Sequence, residues 1–220
     1  MNNKKVSILG CGWVGKALQV SLSSDVQCLS RDRLANSEAQ LYDCDVLIIA
    51  IPPRDNYLDV LEQTLSHIAA QTQVILLSSI SFYEGKPLVV EAETLLQYLH
   101  EDVVILRLGG LMGYERIAGK YTAGKVLTSD SRTNYVHRDD VVGIIESIIH
   151  QEIVGEIFDV VAPIQSTKKK IFSQNAQVFG FKDTEFLQGD VLGKELFPTK
   201  VCENLGYTFK KEDVHNFWVY

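Results

Sequence analysis

Glycines at positions 10, 12 and 15 close a short apolar run, and no other feature constrains this chain as tightly. Val6–Leu9 reads as a strand, Gly10-Cys11-Gly12-Trp13-Val14-Gly15 as a tight turn, and Lys16–Leu22 as a helix. Strand, glycine turn and helix in that order form a cradle for two linked phosphates. Gly10 permits the sharp turn, Gly12 lets backbone approach phosphate oxygens, and Gly15 lets the helix pack on the strand. The helix start contributes N–H groups and the positive end of its dipole. Gly10, Cys11, Gly12, Trp13, Val14 and Gly15 are therefore the first candidate cofactor-binding residues. The alternative is a glycine turn with no ligand, but a place between a strand and a helix favours the phosphates.

Further apolar, β-branched runs recur at Val26–Leu29, Val46–Ala50, Val74–Leu77, Val103–Leu108 and Ile157–Val161. They are continuous rather than alternating, the mark of strands buried on both faces in a parallel sheet covered by helices. Helical spacing separates them at Tyr57–Ala70, Val90–His100 and Val141–His150, with Asp139-Asp140 as a plausible cap for the last. The pattern predicts an α/β protein: a three-layer, Rossmann-type doubly wound parallel sheet. After Ser166 the pattern loosens to one helix, Lys168–Phe179, then turns. We read 1–220 as one nucleotide-binding domain, with 151–220 supplying the last strand and a small C-terminal cap on the substrate side.

Composition narrows the partners. With 220 residues, 46% of them hydrophobic, the chain can bury a large core. A net charge of −7 with no basic block argues against nucleic acid. Lys168–Lys170 is the local exception and reads as a solvated helix start. No run approaches the length of a membrane span, and the polar Met1–Lys5 before a short apolar run gives no sign of a signal peptide. A cytoplasmic protein is expected, with a small-molecule substrate or none, no nucleic acid and no membrane. Cys11, Cys28, Cys44 and Cys202 lack metal-type spacing and read as reduced thiols.

The second strand should end near Ser30, where the adenosine ribose is read. Ser30 and Arg31 suit a 2′-phosphate, because a guanidinium binds it through a charge-assisted pair. NADP is therefore expected ahead of NAD, with Asp32 as the argument for NAD. At the third strand's end, the small and apolar Ala50, Ile51 and Pro52 would let a cofactor ribose lie across the backbone, although a proline-stopped strand also explains them.

Several segments match one family in order. Ile8–Gly15, Leu77-Ser78-Ser79-Ile80-Ser81-Phe82-Tyr83, Val104–Leu111, Asn134–Val142, and Gly155–Val161 with Leu205-Gly206-Tyr207 together resemble the extended and atypical short-chain dehydrogenases/reductases, the NAD-dependent epimerase/dehydratase group. The resemblance covers almost the whole chain. It implies a serine that orients the substrate oxygen, and Ser79 matches that position. It also implies a tyrosine acid/base followed four residues later by a lysine. The interval that should hold this pair contains Tyr83 and Tyr98, neither followed by lysine at that spacing. Tyr121 and Lys125 have the spacing but fall after the wrong strand. Tyr83 could stand in as the acid, since a phenol without a neighbouring cation donates a hydrogen bond but is a poor base.

Ser79 and Tyr83 are therefore the catalytic candidates. Arg107, in a buried strand, should pair with a carboxylate. His137 should hydrogen-bond a neighbouring loop, and Asp139 should cap the helix that follows. Two readings stay open: an oxidoreductase or epimerase acting on a small hydroxylated or sugar-nucleotide substrate, or an inactive dinucleotide-binding redox sensor.

Overall fold

The computed structural model describes residues 4–22, 25–29 and 42–218. Each continuous apolar run becomes a strand of one six-stranded sheet. These are β1 (Lys5–Leu9), β2 (Asp25–Leu29), β3 (Val46–Ile49), β4 (Gln73–Ser79), β5 (Val104–Leu108) and β9 (Ile157–Val160). Their order is β2-β1-β3-β4-β5-β9. β1 pairs in parallel with both β2 and β3, and β3 in parallel with β4. From β1 the chain winds outward one way to β2 and the other way from β3 to β5. Right-handed crossovers in opposite directions put helices on opposite faces, which gives the three layers. The reversal also leaves a crevice beyond the carboxyl end of β1.

The helices are α1 (Trp13–Ser21), α2 (Tyr57–His67), α3 (Pro87–Leu99), α4 (Arg138–His150), α5 (Lys168–Phe179) and α6 (Thr199–Leu205). α1, α3 and α4 each start three residues before the expected point. Pro87 accounts for α3, because its fixed φ suits a first helical position. Thr167 caps α5 by accepting a bond from the Lys170 N–H, and left-handed Gly180 ends it. No helix among the described residues is long and apolar enough to cross a membrane.

The chain gathers into two compact units, Met1–Arg107 with Val142–Phe158, and Leu108–Val141 with Asp159–Tyr220. The first is cored by fully buried side chains of the strands and their covering helices, including Leu9, Leu47, Ile49, Leu61, Leu76, Leu96 and Ile105. The second holds two small parallel sheets, β6 (Gly110–Met112) with β8 (Tyr135–His137), and β7 (Val126–Ser131) with β10 (Glu185–Leu192). Its core gathers Tyr135, Ile171, Phe172, Val214 and Phe217.

Candidate functional site

The glycine turn has the geometry its sequence requires. Gly10 lies at φ +116°, and a Cβ there would fall 2.6 Å from the Ala50 carbonyl oxygen. Its N–H donates to Leu29 O at 2.9 Å, which ties the turn to the end of β2. A Cβ at Gly15 would sit 2.1 Å from the Gly10 carbonyl oxygen, so α1 and the turn pack backbone on backbone. Gly12 is different: it is exposed, and among the described residues a Cβ would meet nothing within 4 Å beyond its chain neighbours. That open space lies before the start of α1, which has no side-chain cap and no acidic residue in its first turn. An open glycine before an uncapped helix terminus fits a pyrophosphate. Trp13 and Val14 form the first helical turn, Val14 buried and Trp13 half-buried.

Beside the cradle, the Ala50 N–H donates to Leu9 O at 2.8 Å, Ile51 is buried and Pro52 exposed. Ser30 and Arg31, with Asp32, lie outside the described residues.

The cysteine reading needs correction. Cys11 and Cys28 are joined by a disulfide, with Cα atoms 5.6 Å apart, while Cys44 and Cys202 are free thiols. The pairing follows from register. Cys28 lies opposite Ile8 across the β1–β2 pair, and the turn after Leu9 swings Cys11 back over that strand. Among the described residues no group of His, Cys, Asp or Glu is placed to hold a metal.

The catalytic candidates lie at the end of β4. Ser79 caps the short 3-10 turn Ile80–Glu84, its Oγ accepting from the Ser81 N–H at 3.2 Å and the Ser81 hydroxyl at 3.0 Å. Both bonds are accepted ones, which leaves the Ser79 hydroxyl proton to donate. Tyr83, partly exposed, takes a hydrogen bond on its phenol oxygen from Arg107 Nη1 at 3.2 Å. The Arg107 guanidinium also lies 3.5 Å above the Phe82 ring centre, and Phe82 meets Tyr83 edge-on.

Arg107 has the carboxylate partner that its burial demands. Its Nε and Nη2 donate to Glu93 Oε2 at 3.1 and 2.8 Å, and Ser78 Oγ donates to Glu93 Oε1 at 2.5 Å. Burial alone would lower the guanidinium pKa, but the bonds to Glu93 and Tyr83 outweigh it and hold Arg107 charged. Glu93 was missed as a functional residue. It sits on the inward stripe of α3 with Val89, Ala92 and Leu96, and a carboxylate at such spacing is the signal.

His137 and its neighbours belong to the second unit. The imidazole is fully buried, tilted against the Tyr114 ring and edge-on to Phe217. Its Nδ1 accepts from the Asp139 N–H at 3.2 Å, so it caps the first turn of α4 instead of bonding a neighbouring loop. Asp139 in turn is not the cap: its carboxylate accepts from the Tyr114 hydroxyl at 2.6 Å. Burial pushes the His137 pKa down, against Asp139 and Asp140, which act to raise it. Buried Asp140 accepts from the Tyr207 hydroxyl and from the backbone N–H groups of Lys210 and Lys211. Tyr207 and Lys211 share the tyrosine–lysine spacing of the family relay; the Tyr207 hydroxyl is donated to Asp140, and Lys211 meets the same carboxylate through its backbone N–H. Tyr121 is exposed on its turn.

No family model matches the chain. The Escherichia coli K12 protein YeeZ is 26% identical, over 96% of this chain and 97% of its own length. A UDP-glucuronic acid 4-epimerase from Bacillus cereus, solved with UDP-glucuronic acid and NAD, superposes with a TM-score of 0.78 at 16% identity, covering 97% of this chain and 96% of that one. The human epimerase family protein SDR39U1 (isoform 2), solved with NADPH, superposes at 0.75 with 15% identity, covering 97% of each chain. The order β2-β1-β3-β4-β5-β9, the glycine turn after β1 and these superpositions lead to one conclusion: the chain has the fold of the NAD-dependent epimerase/dehydratase and atypical short-chain dehydrogenase/reductase proteins.

Proposed function

We propose that this protein binds a nicotinamide adenine dinucleotide at Gly10–Gly15 and acts as an oxidoreductase or epimerase on a small hydroxylated or sugar-nucleotide substrate. The observation that carries the reading is the open position at Gly12 before the uncapped start of α1. Structures of the same fold carry NAD or NADPH, which supports that choice of ligand. NADP is proposed ahead of NAD on the strength of Ser30 and Arg31. The reading places the protein in the cytoplasm, among the dinucleotide pools, with no nucleic-acid or membrane partner.

A bound nicotinamide would supply the site that gives or takes a hydride. The chain's part is to position the substrate oxygen and move its proton. Ser79 donates its free hydroxyl proton to that oxygen, and Tyr83 is the acid/base candidate. Arg107 puts a cation on the phenol oxygen where the family relay uses lysine. A second reading, the redox-sensing module without turnover, draws on Glu93. It takes two of the Arg107 donors, so much of the charge beside Tyr83 is already neutralised.

Thermal-shift titration with NAD, NADH, NADP and NADPH tests the binding, and a raised melting temperature with at least one is the expected result. A flat response to all four contradicts the reading. Tyr83→Phe then separates the two alternatives: hydride exchange with bound NADPH should fall at least tenfold with Kd unchanged if the protein is an enzyme.

A further inference from the structure

We propose that Cys11 and Cys28 are a reversible redox site that sets how tightly the glycine cradle holds its dinucleotide, opened by a dithiol and closed by a disulfide oxidant. The inference rests on the dinucleotide reading above and adds a control to it. Cys11 stands between the glycine of the sharp turn and the glycine of closest phosphate approach, and its sulfur is bonded to Cys28 on β2. The bond closes a loop of sequence separation 17 that contains Gly12, Gly15 and α1. β2 ends the six-stranded sheet, with β1 as its neighbour there. The Gly10-to-Leu29 hydrogen bond is thus reinforced by a covalent tie one residue from Gly12.

Both half-cystines are half-buried, within reach of an attacking thiolate, whereas Cys44 is buried. The core of this unit does not depend on the bond, since β1, β3 and β4 carry fully buried side chains of their own. Opening the bond therefore loosens the turn and leaves the fold in place. A binding loop held in its bound shape loses less freedom when ligand arrives, so the oxidised form is the tighter binder.

The chemistry balances without further reagents. One thiolate of a dithiol attacks a sulfur of the Cys11–Cys28 bond, that S–S bond breaks, and the leaving sulfur takes the electron pair and then a proton. The second thiol of the reductant attacks the mixed disulfide and leaves as the cyclic disulfide, with the other cysteine released as a thiol. The protein gains two electrons and two protons, and the dithiol loses the same. Closure is the reverse, with a disulfide as oxidant.

The test uses the full chain treated with oxidised or reduced dithiothreitol, with thiols counted by alkylation and mass spectrometry, then titrated calorimetrically with NADPH and NADH. Reduction should expose two additional thiols and weaken the Kd by about tenfold, the scale expected when a pre-organised loop is released. Cys28→Ser, which keeps the cradle sequence intact, should bind like the reduced protein in either reagent. Equal affinity in the two states overturns this proposal alone, as does a redox response that survives in Cys28→Ser or a thiol count that does not change. Absence of binding in both states overturns the dinucleotide reading with it.

Discussion

Arg107 and Glu93 show how one buried charge organises its surroundings. The Glu93 side chain is 2% exposed and that of Arg107 12%, so neither can turn to water if its partner is lost. Arg107→Gln should therefore destabilise the fold by about 3 kcal/mol, the scale of a broken buried ion pair. Denaturant unfolding measures this, and an effect near zero would show that Glu93 finds another partner. Arg31→Ala should weaken NADP far more than NAD in parallel titrations, and equal losses would take the 2′-phosphate away from this side chain. Arg107 was legible in the sequence because a guanidinium inside a continuous apolar strand demands a carboxylate. The Cys11–Cys28 bond was not, because a separation of 17 says nothing of distance until β1 and β2 are in register.

Among the elements, what the sequence revealed depended on burial. β3 and β5 are buried along nearly their whole length, so every position but Arg107 is apolar and the run itself marks the strand. β6 and β8 have three residues each, too few for any period to show. β7 mixes exposed and half-buried positions with a single buried one, Asp130, over Val-Leu-Thr-Ser-Asp-Ser, and no apolar run separates it from a loop. The elements of the candidate site were half legible: Ser79 and Tyr83 could be named, while the cation on the phenol had to come from a strand residue 24 positions further along. The clasp at the start of α4 was hidden for the same reason. Asp140 there accepts from backbone at Lys210 and Lys211, far along the chain. Asp140→Ala should cost about 2 kcal/mol by stranding those donors. Amide exchange at Lys210 and Lys211 should quicken, and unchanged protection would place their anchor elsewhere.

For the molecule as a whole, acid sensitivity follows from the buried His137. Its pKa in the fold lies below the ordinary histidine value, chiefly because burial disfavours the charged ring; Arg138 and Lys211 add to this and Asp139 and Asp140 oppose it. The unfolded chain then takes up a proton near pH ~6.5 that the folded chain refuses, so stability falls as pH drops through that range toward the lower folded value. His137→Gln should flatten this part of the stability profile, and an unchanged slope would assign the loss to other groups.

The central claim is that backbone at Gly12 meets two linked phosphates at the start of α1. Among the described residues, chain neighbours aside, a Cβ at that position meets nothing within 4 Å, so Gly12→Val is expected to keep the unliganded fold while filling the space the phosphates would need. Calorimetric titration of NADPH into wild type and Gly12→Val measures the claim directly. Heat of binding in the wild type and none in the variant is the predicted result; equal affinity in both, or no heat in either, would contradict it.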